Sequence, residues 1–234
     1  MVAVAVGVDL GQKRDPTAIA VVEAQRRERD GRSEDYYITR FLERLPLGTP
    51  YPAIAERVQT VIANIRRQVA TSEPPRFEMP PPSASITLYV DGTGVGQPVV
   101  DLLREKGAGV PVRPVYFTHG DKRVEQRDRS ISLGKAWLVS RLQALLQTAR
   151  ILLPRTTEAQ ALAQELLDYE IHVDEKANDT YGAFRVGSHD DLVTALGLAV
   201  QGPAREYRIT VIEHDIPQTH LPAISPHYWR SGRP

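Results

Sequence analysis

The sequence predicts an α/β fold: a mixed sheet, with an antiparallel meander adjoining parallel strands, flanked by helices. Three observations predict it. Val2 to Val8 is an almost unbroken β-branched and small apolar run, the pattern of a strand buried on both faces in the middle of a sheet. A second apolar run, Thr17 to Val22, follows after a turn short enough for an antiparallel return. Further on, Ile86 to Val90, a helical stretch to about Lys106, and Val112 to Phe117 read as strand, helix, strand, which calls for parallel pairing through a right-handed crossover.

The first strand ends in Asp9, and Gly11, Asp15 and Pro16 make the turn to the second strand. Ala24 to Asp35 is charged, contains Gly31, and reads as a turn. Tyr36 to Leu42 alternates and reads as the third strand of the meander. Pro50-Tyr51-Pro52 opens a helix whose Ile54, Val58, Val61, Ile62, Ile65 and Val69 share one face. Thr71 to Ser85 holds five prolines and reads as an exposed loop. The strand Ile86 to Val90 again ends in an acid, Asp91. Pro98 sits inside the next helix and Gly107 stops it.

Thr118 to Ser130 is polar and charged, the composition of a loop. A helix is expected from Leu133 to Thr148, and a short strand at Ile151 to Leu153. Thr157-x-x-Gln160 reads as a capping box for a helix to about Tyr169. Tyr169 to Val173 and Tyr181 to Val186 read as a hairpin. Ser188 can cap an apolar helix, Leu192 to Val200, with Asp191 at its third position. Tyr207 to Ile212 is one more candidate strand. The expected organisation is one domain over residues 1–205 and a C-terminal strand with an extended, Pro-rich tail over 206–234.

At 41% hydrophobic the chain can bury a full core. It has no cysteine, so neither a disulfide framework nor a thiolate zinc site is available, which fits a reducing cytoplasm. No apolar run approaches the ~20 residues of a membrane span, and no basic region precedes the first apolar run as in a signal peptide. Net charge is zero, 29 basic against 29 acidic residues, but the signs are segregated. Arg113 to Arg141 holds seven Lys/Arg against three acids; Glu158 to Asp191 holds nine acids against two basic residues. One basic and one acidic lobe suit a polyanionic substrate and a cation-filled site, and equally suit two solvated faces.

Asp9 and Asp91 end two strands, and Asp190 and Asp191 open the last long helix. Neighbouring parallel strands can bring Asp9 and Asp91 within reach of one ion, and a helix packed across their ends can add a third acid. An Asp-x-Gly after a strand also caps turns on its own account. Clustered carboxylates repel unless cations fill the gap, and hard oxygen ligands suit Mg²⁺ or Mn²⁺. Two such ions about 4 Å apart can activate a water and stabilise the leaving oxygen of a phosphodiester.

Gly7-Val-Asp9-Leu-Gly11, Asp15-Pro-Thr-Ala18, Val90-Asp91-Gly-Thr-Gly-Val-Gly96 and, above all, Gly187-Ser-His189-Asp190-Asp191-Leu-Val-Thr-Ala-Leu196 resemble the C-terminal nuclease domain of the large terminase subunit of tailed bacteriophages, over roughly Val4 to Gln201. The resemblance implies a ribonuclease-H-like fold and metal-dependent cleavage of double-stranded DNA during genome packaging, in the cytoplasm of a bacterial host. It implies Asp9, Asp91 and Asp191 as core ligands of two Mg²⁺ or Mn²⁺ ions, Asp15 and Asp190 as accessory acids, and His189 close by. Lys135 falls where that family often has a lysine, and Lys122, Arg123, Arg127 and Arg129 are candidates to track the DNA backbone; all five also fit solvated surface positions. Gly94 and Gly96 can cradle a phosphate or simply permit a tight turn. A terminase ATPase domain, a small subunit or a portal protein would be the partners. No G-x-x-x-x-G-K-[ST] is present, so a packaging motor is not expected within this sequence.

Two other classes fit parts of the pattern. Actin-like and sugar-kinase-like ATP-binding phosphotransferases also begin with strand-Asp-x-Gly and carry a second Asp-Gly-Thr-Gly-like turn, but give the His189-Asp190-Asp191 helix start no role. An inactive ribonuclease-H-like DNA-binding or assembly module would share the fold without needing the acids.

Overall fold

A computed structural model describes residues 2–11, 15–29, 31–71, 84–94, 96–106, 109–168, 170–173, 179–182, 189–202 and 205–206. The expected Pro-rich loop (mostly), the Ser188 cap, the strand Tyr207 to Ile212 and the rest of the tail lie outside them.

The centre of the sheet is β1 (Val2–Asp9), antiparallel to β2 (Ala18–Arg29) on one side and parallel to β4 (Ala84–Asp91) on the other. Beyond β2 lie β3 (Arg32–Arg44) and the two-residue β8 (Ile151–Leu152). Beyond β4 lie β5 (Val112–Thr118), β7 (Ile131–Gly134) and β6 (Arg123–Glu125). The order is β6-β7-β5-β4-β1-β2-β3-β8, and β11 (Arg205–Glu206) pairs with Gln25 and Arg26 of β2, past the start of β1. A separate hairpin joins β9 (Glu170–Val173) and β10 (Asp179–Gly182). The mixed sheet expected from the sequence is therefore present.

Side-chain alternation divides the sheet into two faces. Val4, Val6 and Val8 of β1, with Ile86, Leu88 and Val90 of β4, form one core with α1 (Tyr51–Thr71) and α2 (Gly96–Glu105). The other face carries α3 (Lys135–Gln147), α4 (Thr157–Asp168) and α5 (Asp191–Ala199). On this face β1 and β2 offer small residues: Ala3, Ala5 and Gly7, beside Ala18, Ala20 and Ala24. That lane lets α5 approach closely. A Cβ added at Gly7 would overlap the Ala195 carbonyl oxygen and come within 2.6 Å of the Ala199 nitrogen. Every residue of α5 is buried, as its all-round apolar sequence requires. Gly7 faces Ala195 to Ala199 while Ala5 faces Gly202, so α5 runs antiparallel to β1 and aims its N-terminus at the C-terminal end of that strand.

Four local expectations are corrected. The charged stretch Ala24 to Asp35 is mostly strand, because β2 and β3 extend as a long hairpin closed by Arg26–Asp35 (2.9 Å) and by Arg27 over the Tyr36 ring. The polar loop after Thr118 contains β6, and the following helix starts at Lys135 because Ile131 to Gly134 pairs with both β5 and β6. The hydroxyl that caps α4 is that of Thr156, which accepts the Ala159 N–H at 3.2 Å. Asp191 is the first residue of its helix, with Asp190 at the N-cap position.

Because the lane leaves no room for even one methyl group, Gly7→Ala should destabilise the protein by about 1–3 kcal/mol, the range for overpacking a filled core. Urea midpoints measure this; an unchanged midpoint would mean that α5 can lift off the strand at no cost.

Candidate active site

Asp9 and Asp91 stand one step beyond the register pair Val8↔Val90, on strands about 4.8 Å apart. Each is two residues past a position on the α5 face, Gly7 and Tyr89, so both carboxylates belong to that face. Burial pushes the Asp9 carboxyl pKa well above the ordinary range. Asp91, Asp190 and Asp191 push it the same way, and Lys135 opposes them. Burial also raises the pKa of Asp91, against the pull of Thr93 and Lys135; the Thr93 N–H donates to Asp91 Oδ1 at 2.8 Å. The glycines after Asp91 serve this turn. Gly94 has φ +63°, and a Cβ at Gly96 would overlap the Asp91 carbonyl oxygen.

The start of α5 completes the cluster. Asp190 makes no side-chain cap hydrogen bond, and its Oδ2 lies 3.9 Å from Lys135 Nζ. Asp191 is 2% exposed. Its Oδ2 accepts from Arg44 Nε at 2.6 Å, at the end of β3. The same guanidinium donates through Nη2 to Glu165 Oε1 in a short contact. Glu165 Oε2 in turn accepts the Val193 N–H at 3.0 Å, so an acid from α4 caps α5. Burial and the nearby Asp191 raise the Glu165 pKa to about 7. Asp191 Oδ1 and His189 Nδ1 are both buried with no hydrogen-bond partner among the described residues, 3.7 Å apart.

The sequence model of the family described as the terminase RNaseH-like domain matches residues 83–202, the span that carries Asp91, Lys135, Glu165 and Asp191. The chain belongs to this terminase family. Its fold is similar to that of the large terminase nuclease from thermophilic phage G20c, with 18% identity over 86% of this chain and 82% of that one at a TM-score of 0.55. The magnesium-bound form of that nuclease is similar at 0.54, with 18% identity over 86% of this chain and 81% of that one. The large terminase nuclease domain of Thermus phage P74-26 is similar at 0.52, with 17% identity over 89% and 84%. No curated relative matches by sequence.

Of the residues that the terminase resemblance singled out, the fold brings Asp9, Asp91, Asp190, Asp191, His189 and Lys135 to one place. Asp15 is exposed and lines an open cleft with Gly11, Thr17 and the turn before α1. Arg123 donates to Gln201 Oε1 at 3.1 Å, past the C-terminal end of α5 and away from the acids. Lys122 is exposed beside the start of α3, where its carbonyl accepts the Gly134 N–H at 2.7 Å. Arg127 and Arg129 are exposed on the β6–β7 turn. Gly94 and Gly96 are accounted for by the turn itself.

Arg44 and Glu165 escaped the sequence reading. The third strand was expected to end at Leu42, two residues short of Arg44. Glu165 did leave a signal: it interrupts the buried stripe of α4 formed with Ala159 and Leu162. A lone acid in an apolar stripe requires a partner.

A raised pKa carries a sign. Protonated Glu165 is favoured in the folded state, so its contribution to stability is full below about pH 4.5 and is lost as pH rises through about 7. Glu165→Gln retains an acceptor for Val193 and cannot ionise. Without divalent metal, wild-type stability should fall relative to Glu165→Gln across that window, by up to about 3 kcal/mol at 1.36 kcal/mol per pKa unit. Denaturant midpoints from about pH 4 to 9 measure it; parallel curves would contradict the assignment.

Proposed function

We propose that this chain is a metal-dependent endonuclease that cleaves double-stranded DNA by two-metal phosphodiester hydrolysis, as the nuclease part of a large terminase subunit in viral genome packaging. The observation that carries this is the convergence of Asp9, Asp91, Asp190 and Asp191 at the strand ends beside the start of α5, with Lys135 and Arg44 as the adjoining cations. Such an excess of negative charge is a site prepared for cations.

Among the described residues no three acidic or imidazole groups stand close enough to enclose one ion by themselves. The donor set nevertheless fits Mg²⁺ or Mn²⁺. Its ligands are carboxylate oxygens, and these ions ordinarily keep several waters and share substrate phosphate oxygens. The buried, unpartnered Asp191 Oδ1 points the same way. Asp9, Asp91 and Asp191 would hold the ions, with Asp190 and Asp15 as accessory acids and His189 close by. Bound there, two such ions supply an activated water and a counter-charge for the leaving oxygen. The protein's part is to hold the acids rigidly on strand ends and a buried helix start. Lys135, which lies beside Asp190, would meet a DNA phosphate, and Lys122, Arg127 and Arg129, all exposed, would track the backbone further away.

Membership of the terminase family speaks against the actin-like alternative, in which Asp190 and Asp191 have no task. Genome packaging would give the chain a terminase ATPase, a small subunit or a portal protein as partners and the bacterial host cytoplasm as its compartment. No helix among the described residues is long and apolar enough to cross a membrane. The domain would comprise residues 1–205, with 206–234 as its C-terminal extension.

With Mn²⁺ or Mg²⁺ the chain should nick or linearise supercoiled plasmid, and EDTA should stop it. Asp9→Asn, Asp91→Asn and Asp191→Asn should each lower the rate by at least roughly a hundredfold, the scale for losing one electrostatic contact to developing charge. Asp190→Asn, outside the helix, should leave a measurable remainder. Metal-dependent ATP hydrolysis with intact plasmid would refute the nuclease reading.

A second measurement separates a metal ligand from a turn residue. Ionised Asp9 is disfavoured by burial and by its acidic neighbours, so Asp9→Asn should raise the melting temperature in EDTA at pH 8 (about two or more units above the ordinary aspartate range). A variant melting well below wild type would make Asp9 a structural turn residue.

A further inference from the structure

Arg44, on β3, spends one edge of its guanidinium on two acids: Nε on Asp191 Oδ2 at 2.6 Å and Nη2 on Glu165 Oε1. Glu165 gives its second oxygen to the Val193 N–H at 3.0 Å, on the third residue of α5. The chain Arg44–Glu165–Val193 thus grips the start of α5 from outside, while Arg44 also holds one oxygen of Asp191. The other oxygen, Oδ1, is buried and has no hydrogen-bond partner among the described residues. An unpartnered buried carboxylate oxygen is costly to leave so, and the lost interaction is recovered when a cation takes that oxygen.

We propose that Arg44 and Glu165 are positioning residues, which turn the Asp191 carboxylate so that Oδ1 alone is presented to a divalent cation. This role rests on the two-metal reading above. It requires an arginine: a lysine keeps the charge but lacks the planar fork that joins two acids. It requires a group at Glu165 that both accepts from Val193 and receives the guanidinium. Groups that orient a ligand in this way commonly change metal affinity by about 10–100-fold when replaced.

The test is Mn²⁺ binding by calorimetry, on wild type, Asp9→Asn, Arg44→Lys, Glu165→Gln, Asp191→Asn and the Arg44→Lys/Asp191→Asn double variant, each first shown to be folded by circular dichroism in EDTA. Arg44→Lys should weaken Mn²⁺ binding roughly 10–100-fold. If Arg44 acts through Asp191, the double variant should bind no more weakly than Asp191→Asn alone. A merely structural ion pair would leave Mn²⁺ affinity unchanged in Arg44→Lys, or give losses that add in the double variant; either result overturns the proposal. Should Arg44→Lys not fold, Glu165→Gln carries the same comparison. Wild type that binds no Mn²⁺, or binds it as well as Asp9→Asn does, would defeat the two-metal reading itself. Binding that fails in Asp9→Asn but survives intact in Arg44→Lys and Glu165→Gln would defeat only the positioning role.

Discussion

The contact of α5 with the small-residue lane of β1 and β2 governs the rest of the molecule. Alanine and glycine at positions 3, 5, 7, 18, 20 and 24 remove the side chains that would hold a helix at ordinary distance from a sheet. The helix that fills the lane is apolar on every side, since α3, α4 and the sheet leave none of it exposed. Its one charged residue, Asp191, is at its first position, and the antiparallel run against β1 delivers that acid to the strand end where Asp9 already stands. Packing on one face of the sheet thereby settles the geometry of an electrostatic site.

That site carries opposing demands. Burial disfavours the ionised forms of Asp9 and Asp91, and at Asp9 the neighbouring Asp91, Asp190 and Asp191 add to the cost. Lys135 and Arg44 enter from opposite flanks, one from the start of α3 and one from the end of β3, and reduce the repulsion without cancelling it. Glu165 adds a further buried acid, yet does structural work: it satisfies the Val193 amide at a helix start where Asp190 forms no side-chain cap. Replacing a missing local cap by an acid from a neighbouring helix ties α4 to α5, and makes the orientation of Asp191 depend on both.

Much of this was legible in the sequence because it rests on local signals. The β-branched run before Asp9, the strand before Asp91, the helical stripes of α1 and α3, and the acid pair opening an apolar helix are patterns of neighbouring residues, and each of these elements formed close to where the pattern placed it. Misreadings arose where charge concealed periodicity. Arg26, Arg27, Glu34 and Asp35 look like a solvated turn, yet cross-strand pairing makes them strand. Leu133 and Gly134 read as the start of a helix until β5 and β6 are present to pair with them.

By itself the sequence determined which residues are strand-end and helix-start acids, the sheet's mixture of antiparallel and parallel pairing, and the family, because these follow from short-range periodicity and contiguous motifs. Only the tertiary structure decided which charges meet. Arg44 and Asp191 are 147 residues apart, and Arg44 and Glu165 are 121 apart, so no local pattern records either contact. Asp15 lines a cleft with the turn before α1, 31 or more residues further along the chain, and Lys135 reaches the acids from the start of α3. The reason is physical: alternation and helical period specify the face on which a side chain emerges, whereas its partner is chosen by how closely the faces pack, and here that was set by the absence of side-chain bulk along the Ala/Gly lane beneath α5.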